Sequence, residues 1–244
     1  MKKLFVAILG CFFSVSGFSQ SKTADIGIWG GTSGYLGDIE GNTFFQSPNP
    51  FFGAYFRYNF NPRISARGML LTGNIAGEGV IQEQPWEFSK GVQDLTIQAE
   101  INYLRYMLGS SKASFSSYVT AGLGVMYYRY ELDPAAIYQF NQRHNKGTAE
   151  KKNSVIAPTI PFGIGFKFNV GKRLGLGVEY QMRKILDDKL DNLDDPLAYL
   201  DSGGKEVTYN DLLHNNDWAT YLGIHLTYRI YLGSKPCPAY DSKN

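Results

Sequence analysis

The chain has 244 residues, 43% of them hydrophobic and 19% charged, with a formal net charge of +2. Lys and Arg are spread along it without clustering, so nucleic acid is not an expected partner. Past the first residues no apolar run reaches the ~20 residues of a membrane helix. The 17 Tyr, 16 Phe and 27 Gly instead make a strand-rich composition with aromatics suited to interfacial girdles.

At the N-terminus, Met1-Lys2-Lys3 precedes the apolar run 4–13, and Gly17-Phe18-Ser19 supplies small residues around a cleavage site. Residues 1–19 therefore read as a signal peptide, cleaved near Gln20. Cys11 follows Ile8-Leu9-Gly10, a weak lipobox-like context, but cleavage there would leave an unusually short signal. Residues 20–233 read as one barrel and residues 234–244 as a periplasmic tail.

Strand one is expected over 24–35, with Ile26 and Ile28 outward and Gly27, Trp29, Gly31 and Ser33 inward. Its glycines leave interior space for long side chains from other strands. A loop precedes the hairpin over 51–73, where Phe52, Ala54, Phe56, Tyr58 and Phe60 alternate with Gly53, Tyr55, Arg57 and Asn59. A period of two makes one strand face apolar and the other polar. Asn61-Pro62 then reverses the chain, because proline fixes its own φ and biases the preceding residue away from helix. Residues 74–90 are expected to be a loop.

Strand four alternates Leu95, Ile97, Ala99, Ile101 and Tyr103 with Thr96, Gln98, Glu100 and Asn102, which implies a polar lumen. A short polar turn over 109–114 leads to strand five, 115–130, and a long polar loop, 133–153. Strand six covers 155–168, with Pro158 and Pro161 expected near its exposed end or at a bulge. A tight turn over 169–172 leads to strand seven, which places Glu179, Gln181 and Arg183 inward. The longest loop, 185–217, precedes strand eight, 218–230. Eight apolar faces with no helical layer to cover them imply an all-β, eight-stranded antiparallel transmembrane β-barrel with a plugged interior. The short connections fall at one end together with both termini. Outer-membrane barrels carry short turns on the periplasmic side.

The inward set includes Arg57, Arg67, Glu100, Lys167, Glu179, Arg183, His225 and Arg229. A barrel of this size is barely wide enough for its own side chains, so these are expected to pair as an interior salt-bridge network rather than form an ion path. His144, His214 and His225 stand in no H-x-S or H-E-x-x-H arrangement, so no enzyme is expected and no cofactor is implied. Asp187, Asp188, Asp191, Asp194, Asp195 and Asp201 could offer oxygen ligands to calcium. They lack the glycine spacing of a calcium loop and read as a solvated acidic loop. After signal removal Cys237 is the only cysteine, in Lys235-Pro236-Cys237-Pro238; an intermolecular disulfide and a free thiol both remain open. Arg63, Lys112, Lys172, Arg173 and Lys235 bring positive charge to the periplasmic end, as a partner contact or as polar turn residues flanking the membrane.

The segments 30–38, 58–63 through Arg67-Gly68, 103–106, and Glu179-Tyr180 through Arg183-Lys184 to Leu190-Asp191 resemble the PorG-like family. These are outer-membrane barrels of the type IX secretion system of Bacteroidota. Asn216-Asp217-Trp218 leading into Leu222-Gly223-Ile224 and Tyr228-Arg229-Ile230 carries the same resemblance. Where such barrels often continue with an aromatic and a Thr-Asp-Tyr-like run, this chain reads Ile185-Leu186-Asp187-Asp188-Lys189. The resemblance implies a non-enzymatic anchor that holds a periplasmic ring lipoprotein (PorK-like) and its ring partner (PorN-like) at the outer membrane, in contact with outer-membrane lipids. The alternative is a stand-alone barrel whose long external loops bind a ligand or surface.

Overall fold

The structure is a computed structural model that describes residues 23–36, 48–81, 84–109, 113–131, 152–187, 190, 199–200, 206–207 and 217–232. The expected signal peptide, the tail 234–244 and most of the long loops lie outside the described residues. Eight strands are long: β1 (Thr23–Leu36), β2 (Asn49–Asn59), β3 (Ile64–Ile81), β4 (Gln84–Asn102), β5 (Phe115–Glu131), β6 (Lys152–Asn169), β7 (Leu174–Ile185) and β10 (Trp218–Tyr231). They close into an antiparallel barrel in the order β1-β10-β7-β6-β5-β4-β3-β2. Because β1 pairs with both β2 and β10, the ring has no free edge. Two dipeptides, β8 (Tyr199–Leu200) and β9 (Glu206–Val207), pair only with each other, inside the connection expected to be a loop.

Alternation decides which side each residue takes. On β4, Leu95, Ile97 and Ile101 point out, while Thr96, Gln98, Glu100 and Asn102 are buried inside. The same parity exposes Ile97 and Leu123 by 71% each and Ile224 by 59%. These residues belong to a continuous apolar band around the barrel. At one edge of the band stand Phe60, Tyr103, Phe115, Phe168 and Tyr228; nearer the other are Phe52, Tyr127 and Trp218. An apolar surface that encircles a molecule is favourable only where the surroundings are themselves apolar.

Three expectations need correction. Residues 74–90 are not a loop: β3 and β4 stay paired from Asn74↔Gly91 out to Ile81↔Gln84, so the hairpin rises well past the apolar band. Glycine and proline in this stretch suggested a loop, but Gly77 and Gly79 sit in register opposite Phe88 and Trp86 and the ladder runs through them. In β6, Pro158 and Pro161 create no bulge. The β5–β6 register is the same at Ala121↔Phe162 and at Gly124↔Thr159, with only the intervening ladder pairs lost, as expected where proline has no N–H to donate. Finally, the β4–β5 connection starts at Tyr103, earlier than the expected turn over 109–114, and folds back against the barrel mouth: Tyr106 and Leu108 are buried.

Both tight turns have clear local causes. At Asn61, the side-chain Oδ1 accepts from the Arg63 and Ile64 backbone N–H groups at 2.8 and 2.9 Å, closing the turn between β2 and β3. Between β6 and β7, the Val170 and Gly171 N–H groups donate to the Leu174 carbonyl at 3.0 and 3.1 Å.

Placing a cation on the band should be costly. Ile97→Arg is expected to destabilise the barrel in lipid vesicles by about 2–4 kcal/mol, read by denaturant unfolding. Glu78→Arg, beyond the band on β3, should change stability by less than about 1 kcal/mol.

Candidate functional site

The interior divides into two layers. Toward the end where Thr23 and Tyr231 emerge, it is filled by charged side chains, among them Arg57, Arg67, Glu100, Lys167, Glu179 and Arg229; none of these, nor Arg183 farther along the lumen, is more than 5% exposed. Pairing places Arg57 directly opposite Arg67 on β2 and β3, an unfavourable juxtaposition of like charges. Carboxylates from other strands resolve it. Arg57 Nη1 donates to both Glu100 oxygens at 3.2 Å, and its Nε and Nη2 donate to Asp25 Oδ2 at 3.0 and 2.9 Å. Arg67 forms a two-pronged pair with Glu179, Nη1 to Oε2 at 3.1 Å and Nη2 to Oε1 at 2.6 Å. The Lys167 ammonium also donates to Glu100, while Arg229 Nε lies 3.9 Å from Asp25 Oδ1. Two parallel N–H donors onto one carboxylate give strength and a fixed geometry, which a long flexible lysine alone would not supply.

Beside this network, Tyr55, His225 and Tyr118 form a chain: the Tyr55 hydroxyl is 3.0 Å from His225 Nδ1, and the Tyr118 hydroxyl is 3.0 Å from Nε2. Both imidazole nitrogens are thus occupied by phenols inside a sealed space, an arrangement that packs the ring without leaving a nitrogen for a substrate. Small residues opposite make the room. A Cβ at Gly177 would stand 2.3 Å from His225 Nε2, and one at Gly165 would stand 2.5 Å from the Tyr118 ring.

The other layer is apolar, whereas strand four alone implies a polar lumen. Trp29, Phe51, Met69, Leu71, Met126 and Tyr221 belong to one buried cluster. Phe51 stacks on Tyr221 at 4.6 Å between ring centroids. Between the layers, Arg183 Nε donates to Asp94 Oδ2 at 2.8 Å and its guanidinium lies 5.1 Å from the Tyr221 ring. At the far end, the Tyr35 hydroxyl donates to Asp217, tying β1 to the residue that opens β10.

Asp25 and Asp94 hold Arg57, Arg229 and Arg183 and were not singled out in the sequence. The signal was present: each sits two residues before an inward residue, Gly27 and Thr96, and so shares its face. Asp187 accepts from the Tyr128 hydroxyl at 2.8 Å; Asp188, Asp191, Asp194, Asp195 and Asp201 lie outside the described residues. Among the described residues no three His, Cys, Asp or Glu side chains are placed to hold a metal ion.

The cavity left among Asp25, Arg57, Asn102, Tyr106, Lys167 and Arg229 is about 10 Å³, room for one water at most. Tyr106 closes it from below with its ring 5.0 Å from the Lys167 ammonium, and burial raises its phenol pKa so that it stays neutral there. Outside the mouth, Arg63, Lys172 and Arg173 are exposed, and Arg173 Nη1 donates to the Tyr228 hydroxyl at 3.3 Å. Lys112, Lys235, Pro236, Cys237 and Pro238, with His144 and His214, lie outside the described residues.

An apolar exterior around a ring of eight strands, filled by paired charges and aromatic rings, is the architecture of a bilayer-spanning barrel with no open lumen. The chain belongs to the DUF6089 family, described as a domain of unknown function, whose model matches residues 2–241. No curated protein matches it. Among solved structures it is similar to Ail, the attachment invasion locus protein of Yersinia pestis, at 13% identity and a TM-score of 0.46, covering 86% of this chain and all of that one. It is also similar to OprG from Pseudomonas aeruginosa, at 12% identity and 0.43, covering 88% and 98%. Neisserial surface protein A aligns at 6% identity and 0.45, covering 86% and 97%.

Removing one member of the network should cost more than removing a whole pair. Glu100→Ala leaves Lys167 without its carboxylate and Arg57 with Asp25 alone, and is expected to destabilise by roughly 3–5 kcal/mol. The double variant Asp94→Leu/Arg183→Met, which deletes both charges, should cost less than either of its single changes. Denaturant unfolding in lipid vesicles reads both.

Proposed function

We propose that this chain is a non-enzymatic outer-membrane anchor. In this reading it holds a periplasmic ring lipoprotein of the PorK-like kind and its PorN-like partner at the membrane, the role that the resemblance to PorG-like barrels of the type IX secretion system implies. The observation that carries the proposal is the filled interior: among the described residues the buried charges pair across the barrel, and the space left beside Asp25, Arg57 and Lys167 is about 10 Å³, which gives a solute no room there. Function then falls to the surfaces at the two ends. At the end bearing the termini, exposed Arg63, Lys172 and Arg173 present positive charge on short, well-held turns, a rigid surface that suits a standing contact better than a transient one. β10 ends on this side, and in this reading the tail that follows it, with Lys235, Pro236, Cys237 and Pro238, makes Cys237 a candidate for a covalent link to the partner. In the alternative, a stand-alone barrel, binding resides in the long loops at the opposite end.

Affinity purification of the solubilised protein from its own cells tests the proposal. The combined variant Arg63→Glu/Lys172→Glu/Arg173→Glu is expected to lower recovery of a periplasmic lipoprotein at least about tenfold, whereas deletion of residues 133–153 should leave it unchanged. A disulfide partner would appear on non-reducing gels as a heavier species that Cys237→Ser abolishes. Recovery that depends on residues 133–153 and ignores the three cationic residues would overturn the anchor in favour of the loop-borne reading.

A further inference from the structure

Below the apolar band, between the β2–β3 turn and the β4–β5 connection, lies an open groove of about 590 Å³ lined by Pro62, Leu104, Arg105, Met107, Ala113 and Phe115, with Ser114. Its walls are fixed from several sides. The Pro62 wall is held because Asn102 Nδ2 donates to the Pro62 carbonyl at 3.1 Å and the Asn102 N–H donates to the Arg63 carbonyl at 2.7 Å. On the opposite wall, the Asn169 N–H donates to the Ser114 carbonyl at 2.7 Å and its Nδ2 to the Ala113 carbonyl at 3.2 Å. The connection itself is pinned where Gly109 takes a φ of 78° against the Lys172 carbonyl; a Cβ there would stand 2.0 Å from that oxygen. A groove braced in this way exists before anything enters it.

Its chemistry is split. The lining is mostly apolar, and the exposed pair Ile64 and Ile101, where β3 and β4 meet this end, belongs to the edge of the band. The exposed guanidinium of Arg105 lines the mouth, and Arg63 follows Pro62 at its edge. Among the described residues no carboxylate pairs with either. A cation placed at the lower boundary of an apolar band, beside a mostly apolar lining, complements a phosphate joined to an acyl chain.

We propose that this groove binds an anionic phospholipid of the adjacent leaflet, with its phosphate on Arg105 and the start of an acyl chain against Leu104, Met107 and Phe115. The inference rests on the membrane placement argued above, and it adds a selective lipid site that the anchor role does not require. Bound lipid would cover an otherwise exposed apolar recess and fix the barrel's depth at the side where β4 and β5 connect.

Native mass spectrometry of the detergent-solubilised full chain, titrated with dioleoyl phosphatidylglycerol or dioleoyl phosphatidylcholine, tests it. The anionic lipid should be retained about tenfold more strongly, the factor expected for one charge-assisted contact. Arg105→Glu should abolish that preference, and so should Ala113→Trp, which fills the groove without changing charge. Arg129→Glu, on β5 at the opposite rim, should keep it. Equal retention of the two lipids, equal loss in Arg105→Glu and Arg129→Glu, or an acylated peptide retained in the groove in place of phospholipid would each overturn the assignment. A chain that stays monodisperse without detergent would instead refute the membrane placement itself, so the two failures are distinct.

Discussion

A ring of eight strands encloses a space about one side chain wide. Once the outside is apolar, the inward charges find their main partners on other inward residues, because solvent cannot reach them in quantity. Glu100 shows how this constraint is met. It accepts from Arg57 and Lys167, lies within ion-pair range of Arg67, and so relieves two arginines that strand register sets face to face. Buried charge of this kind is a weak source of net stability. It does define a single arrangement of the interior, since the guanidinium forks fit particular carboxylates and a one-residue slip of any strand would turn that strand's charges toward the apolar exterior.

The two-layer interior follows from where the strands go. In the half of the band nearer Thr23 and Tyr231 the lumen is charged, yet toward the opposite end the facing positions become Phe51, Met69, Leu71, Met126 and Tyr221, and a conventional hydrophobic core forms inside the barrel. That core supports the β3–β4 hairpin, which stays paired past the band and carries Phe88 inward against Tyr35, with ring centroids 4.9 Å apart. Among the described residues, salt bridges fill one end of the lumen and aromatic packing the other. The proposed anchor role and the proposed lipid groove both use the braced turns at the end that carries the termini.

Much of this was legible from alternation alone. Parity on β4, β6 and β7 assigns Glu100, Lys167, Glu179 and Arg183 to the inside without any knowledge of partners. What parity cannot supply is which strand a long side chain reaches. The Arg67–Glu179 pair spans 112 residues of sequence and depends on the curvature of the closed ring. The β3–β4 extension was hidden because Gly77, Gly79 and Pro85 signal a break locally, while the pairing that overrides them lies in the partner strand. Asp25 and Asp94 were passed over because they stand at the ends of the clearest alternating runs. The tucked segment with Tyr106 and Leu108 has no period at all, and its position follows from tertiary contacts such as Leu108 beside Gly175.

The central claim is that paired interior charges close the barrel, so that it crosses a bilayer without conducting. Ionic current through a planar bilayer containing the purified, folded protein measures this directly. The account expects no steady conductance above that of the lipid alone at moderate salt and voltage. A persistent, voltage-independent open level from the unmodified protein would contradict it, because ions would then be passing through a space that the Arg57–Glu100–Lys167 cluster is held to fill.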